Sequence, residues 1–269
     1  MFRRLASVAV MALVGGLALA GCQAAPSSVA AQIGDFKVTN QQVDQIVQQI
    51  DAQVAAARQK QAATQAQASP GVTAEAQASP GGTPTPTASA QGLAANQIGD
   101  VRATVVQLAV FDELARRVAV GKGLSLPIQD YKAAAQQIGL NEDNPYIKLA
   151  VDADGYRTLL LSKTQPATPT EADLQQAYQK VAASGGQVPS YEELKPQLQA
   201  LPALGEGLGL RTELLAAASQ YGLVVNPRYQ PLEMPLAAVT SGQSQVVLVS
   251  LPLGTPSGSP AVRDLPSAG

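Results

Sequence analysis

Apolar residues recur along the chain at helical spacing in several separate runs. Val43, Ile46, Val47, Ile50 and Val54 form one stripe on a Gln-rich segment, and Thr39 or Asn40 before it suits an N-cap. Val101, Val105, Leu108, Phe111, Ala115 and Val118 step by threes and fours along a second, longer segment that stops at Gly121-Lys122-Gly123. A polar face beside that stripe carries Asp100, Arg102, Asp112, Glu113, Arg116 and Arg117, which read as a solvated face with an i,i+4 pair between Glu113 and Arg117. Further helices are expected from about Ile128 to Ile138, with Ser125 as N-cap and Pro127 in the first turn, and from Tyr146 to Ser162. Another runs to about Ala183 behind Thr170, which with Asp173 suits a capping box. Leu194, Leu198, Leu201, Leu204 and Leu208 mark a last helical region that Pro196 and Pro202 should kink or break. Strand patterns are few. They are Ala30 to Ile33 and Phe36 to Val38 around a Gly34-Asp35 turn, Leu223 to Tyr229, and a possible extra strand, Gln245 to Leu251, within 230–251. The chain reads as mainly α with a small sheet.

Two stretches break the pattern. Ala66-Gln-Ala-Ser-Pro-Gly71 recurs as Ala76-Gln-Ala-Ser-Pro-Gly81, followed by Thr-Pro repeats through Thr87. Residues 62–95 offer no apolar surface to bury, and composition predicts a disordered insert. It reads either as a glycosylated or partner-binding loop through Thr83, Thr85 and Thr87, or as a tolerated expansion between two helices. Residues 252–269 are rich in Pro, Gly and Ser, and a disordered tail is expected there.

At the other end, Arg3 and Arg4 precede an uncharged run, Leu5 to Ala20, too short for a comfortable membrane span. The run closes on Leu19-Ala20-Gly21-Cys22 and resembles the lipobox of a bacterial lipoprotein signal. That resemblance implies removal of residues 1–21, acylation of Cys22, and a lipid anchor holding the chain outside the cytoplasm. Residues 22–28 then form a tether spanning at most about 25 Å. An ordinary secretory signal cut near Ala25 is the alternative.

Composition narrows the chemistry. The chain has no histidine and one cysteine, which excludes Ser-His-Asp and Cys-His nucleophile systems, disulfides and His-based metal sites. With 18 basic and 20 acidic residues there is no basic excess for nucleic acid. Asp152-Ala-Asp154-Gly155 starts like a calcium loop but has Tyr156, Arg157 and Lys163 where ligands and a turn glycine are needed. Gly205-Glu-Gly207-Leu-Gly209 fits neither phosphate-loop nor dinucleotide spacing, and reads as a flexible joint in a helix. No enzyme activity, cofactor or metal is expected.

Ala31-Gln-Ile-Gly-Asp-Phe-Lys-Val-Thr39, followed at once by an amphipathic helix, resembles the opening of the SurA N-terminal domain of extracytoplasmic chaperones. Gly34-Asp35 stands where that family usually has Asn-Gly. Thr170 to Tyr178 resembles the segment leading into a parvulin isomerase domain, and Ser190 to Leu198 the helix that follows one. Only a linker, 184–189, lies between them, so the isomerase domain is missing. The resemblance implies a SurA-like helical domain over 29–229, with Asn226-Pro-Arg-Tyr229 closing it. The strands at 30–38 and 222–229 should then share one antiparallel sheet, with Arg228 structural. It further implies a chaperone that holds unfolded or exported polypeptides without isomerase activity. Val47, Val105, Phe111, Leu194 and Leu198 are candidate liners of a client groove. The alternative is an envelope scaffold or assembly factor that binds one protein partner. A holdase should expose a continuous apolar groove, whereas a scaffold should show a compact patch with a polar rim.

Overall fold

A computed structural model of the chain describes residues 28–67, 101–184, 188–241 and 244–254. Cys22, the signal segment, the greater part of the insert, linker positions 185–187 and the tail beyond Gly254 lie outside the described residues. The chain is mainly helical with small antiparallel sheets, and the described residues form seven α-helices and five strands.

The start of the folded region and a strand about two hundred residues further on meet in one sheet. β1 (Val29–Ile33) lies between β2 (Phe36–Thr39) and β3 (Val224–Val225), both antiparallel to it. Its register pairs Ile33 with Phe36 on one side and Ala31 with Val225 on the other. The turn between β1 and β2 needs a glycine, because Gly34 has φ of 58°. Gly34 N–H donates to the carbonyl of Tyr221 at 2.7 Å, and Arg117 stacks over the Tyr221 ring while donating to Asp35 at 2.6 Å. β3 is shorter than the expected strand at 223–229. Pro227 has no N–H to continue the ladder, and Pro227–Tyr229 instead forms a 3₁₀ turn capped by Asn226. Asn226 Nδ2 also donates to Val29 O, and the Tyr229 hydroxyl donates to Asn40 Oδ1 at 2.7 Å. Arg228 lies against the ring of Tyr229 and serves this corner.

α1 (Asn40–Gln67) starts on a reciprocal box in which Thr39 Oγ1 accepts from Gln42 N–H and Gln42 Oε1 accepts from Thr39 N–H. The helix runs to Gln67, into the segment expected to be disordered. Ala and Gln favour helix even where no apolar stripe remains, and residues 55–63 are exposed on every side. α2 (Val101–Gly121) is the central helix, packed against α1, α4, α7 and the sheet. Glu113 on it is not part of a solvated face. It is buried and held by Arg116 and Arg117, with Arg117 Nε 2.6 Å away. α3 (Tyr131–Ile138) begins three residues later than expected. Asp130, not Ser125, caps it, and residues 124–130 form an irregular strap before it. α4 (Pro145–Leu161) contains Asp152 to Gly155 in its interior, so those residues form no loop. α5 (Glu171–Ala183) and α6 (Tyr191–Gln199) both start on capping boxes, Thr170 with Asp173 and Ser190 with Glu193. Pro196 sits inside α6, and the chain breaks before Pro202, the first residue of α7 (Pro202–Gln220).

The glycines of α7 do not make a flexible joint. They let two other segments touch the helix backbone. A Cβ at Gly209 would lie 2.2 Å from Gln165 O, and one at Gly205 3.1 Å from Ala167 O, whose N–H donates back to Gly205 O at 2.9 Å. On another face a Cβ at Gly207 would lie 2.7 Å from Ala237 Cβ. Ala237 belongs to a hairpin of β4 (Glu233–Ser241) and β5 (Ser244–Pro252), where only one strand was expected. Pro235 masks β4 in the sequence. It sits on an edge strand next to a bulge, where a missing N–H is tolerated. The two register shifts leave Leu236 and Leu248 unpaired in the ladder, and both side chains are buried. Leu253 is buried too, with its N–H bonded to Leu232 O, so residues 252–254 belong to the fold and not to the tail.

Candidate functional site

The expected client-groove liners lie in the wrong place for that role. Val47, Val105, Phe111 and Leu198 are all buried in one continuous core, with Phe111 at 0% exposure. Leu194 is half-buried against the same core. Their helical periodicity reports packing of α1, α2 and α6 on the body, not an open surface. Cys22 lies outside the described residues.

An open groove lies beside them, on the next face of α1. It holds about 250 Å³ between β2, the first half of α1 and the start of α4. Its floor is apolar, from Phe36, Val38, Ile46, Ala109 and Pro145, and Gln42, Gln45 and Gln49 rise along one wall. Those glutamines sit at i, i+3 and i+7, so α1 presents three neutral amides in a row above Ile46. β2 is an edge strand. The pair flanking the two-residue turn, Ile33 with Phe36, takes the inward bonds, so the alternation of the ladder turns the N–H and C=O of Lys37 outward at the lip. Val38 anchors the floor, while Lys37 is exposed.

Such a groove can accept an extended backbone at Lys37, seat one apolar side chain, and bond its flanking amides through glutamine. It contains no catalytic constellation. Among the described residues no group of three or more acidic, Cys or His side chains could hold a metal ion. Charged side chains elsewhere pair between elements, as Arg117 does with Asp35 and Lys195 with Glu171. Arg117 holds Asp35 below the usual carboxylate range, and Lys195 with Tyr191 does the same for Glu171. Asp112 differs. Burial, then the nearby charges of Asp152 and Glu113, push it up to about 6.

Sequence reasoning passed over Gln42, Gln45 and Gln49 because it followed the apolar stripe. The usable signal was a row of neutral amides next to a strand that ends a sheet. The chain matches no family model, no curated protein and no solved structure.

Proposed function

We propose that this protein is a membrane-anchored extracytoplasmic module that binds extended polypeptide, with no isomerase activity of its own. The anchor rests on Leu19-Ala20-Gly21-Cys22, and the binding on the groove over β2 and α1. The groove is the observation that carries the reading, because it pairs an outward backbone edge with an apolar floor. Its size and polar wall favour capture of one apolar side chain in a defined segment, as an envelope assembly factor would do. A promiscuous holdase is the second reading. The sheet joining β1, β2 and β3 agrees with the arrangement expected from the SurA resemblance.

Aggregation of two unrelated unfolded proteins in the presence of the soluble form starting at Gln23 separates the readings. A proline-limited refolding reaction run beside it tests for isomerase activity. The assembly-factor reading expects little protection of either client and no faster refolding. Protection of both clients at stoichiometric ratio supports the holdase. Accelerated proline isomerisation overturns both readings.

A further inference from the structure

The outer strands of the two sheets differ in how their unpaired backbone is covered. On β3, Gln230 Nε2 donates to Val225 O at 3.3 Å. On β4, Arg157 Nη1 reaches Leu236 O at 3.5 Å, and on β5, Lys180 Nζ donates to Leu248 O at 3.4 Å. β2 is less protected. Gln42 Oε1 takes its Thr39 N–H, but no side chain among the described residues bonds the outward N–H and C=O of Lys37.

The register sets side chains in two rows across β2, β1 and β3. Val38, Ala31 and Val225 form the buried row. Lys37, Gln32 and Val224 form the other, in which Lys37 and Val224 are exposed and Gln32 is half-buried. Lys37 enters none of the ion pairs among the described residues. Asp35, two residues away, is held by Arg117 at 2.6 Å and does not neutralise it. Lys37 is also the one charged residue that lines the groove.

A segment pairing with Lys37 sets the residue directly opposite on the open row, beside the ammonium. Its neighbours on either side then turn toward the groove floor. One residue of outward backbone supplies only a pair of hydrogen bonds, so side chains decide what docks. A second copy of β2 meeting this edge antiparallel about Lys37 would oppose two like charges, which disfavours self-pairing.

We propose that the partner is an extended segment carrying an acidic residue directly beside an apolar one. The acid lies opposite Lys37, and the apolar side chain enters the groove over Val38 and Ile46. The inference rests on polypeptide docking along β2 and names its specificity.

Three blocked peptides of Ser, Thr and Gln, with a central Leu-Asp-Leu, Leu-Ser-Leu or Leu-Lys-Leu, are titrated into the soluble form starting at Gln23. At low ionic strength Leu-Asp-Leu should bind about three- to tenfold more tightly than Leu-Lys-Leu, with Leu-Ser-Leu between them. The gap should narrow as salt is raised. Lys37→Glu should invert the order while leaving Tm unchanged, because the side chain is exposed and unpaired. Equal binding of the three, with the Lys37 amide shifted, overturns the acidic preference and leaves polypeptide docking in place. No perturbation of residues 36–49 by any of the peptides overturns both. A concentration-dependent dimer that protects the Lys37 amide without peptide assigns the edge to a second copy and also overturns the proposal.

Discussion

Replacing Gly209 with alanine sets two effects against each other, and the structure says which one wins. In an exposed helix interior, Gly→Ala stabilises by about 1 kcal/mol. At Gly209 the new Cβ would lie 2.2 Å from the carbonyl oxygen of Gln165 and 3.1 Å from Thr164 Cγ2. The first is backbone, so α7 and the segment 164–167 must separate by more than an ångström. Overpacking of this kind costs about 1–3 kcal/mol, and a backbone partner puts it at the upper end. The net expectation is a loss of about 2 kcal/mol, or about 4–8 °C in Tm for a domain of this size. Gly121→Ala is the control, since nothing lies within 4 Å of its added Cβ, and it should be neutral or stabilising. Thermal unfolding by circular dichroism measures both. A rise in Tm for Gly209→Ala would refute the packed seam and restore the flexible joint suggested by the glycine spacing.

Three further outcomes follow from the charges and the groove. Arg117→Ala leaves Glu113 buried with Arg116 alone and should cost about 2–4 kcal/mol in urea unfolding. Adding Glu113→Gln should recover part of that loss, and additive losses would contradict a coupled pair. Asp112 has a raised folded-state pKa, so its contribution to stability is fully present below about pH 4 and is lost as pH rises through about 6. Asp112→Asn should therefore gain at most about 3 kcal/mol over wild type at pH 7.5, and a difference that does not shrink toward pH 4 would contradict the assignment. Gln45→Arg with Gln49→Arg should weaken polypeptide binding about tenfold or more while moving stability by no more than about 0.5 kcal/mol. Isothermal titration and thermal unfolding read the two effects separately.

The sequence told most where one physical signal acted alone. The stripes at Val43–Val54 and Val101–Val118 marked α1 and α2, and Thr170 with Asp173 marked the start of α5. The sharing of one sheet by the strands near residues 30–38 and 224 was expected from resemblance, and the 3₁₀ turn at Pro227–Tyr229 explains why the last of them is shorter. Elsewhere two signals competed. Pro235 concealed β4, because nothing local shows that a proline lies on an edge beside a bulge. The glycines of α7 look alike whether they loosen a helix or admit a neighbouring backbone, and only tertiary contact separates the two. The candidate groove was the least legible part. Its floor combines residues from β2, α1, α2 and α4, and its wall consists of glutamines that carry no motif. Periodicity drew attention instead to Val47, Val105, Phe111 and Leu198, which pack inward.

The central claim is that extended polypeptide docks along β2. It is tested most directly by backbone amide spectra of the soluble form titrated with a permanently unfolded model polypeptide. The account expects the Lys37 amide to shift and gain exchange protection, with smaller shifts at Phe36, Gln42, Gln45 and Gln49. Saturating polypeptide that leaves residues 36–49 unperturbed would contradict it.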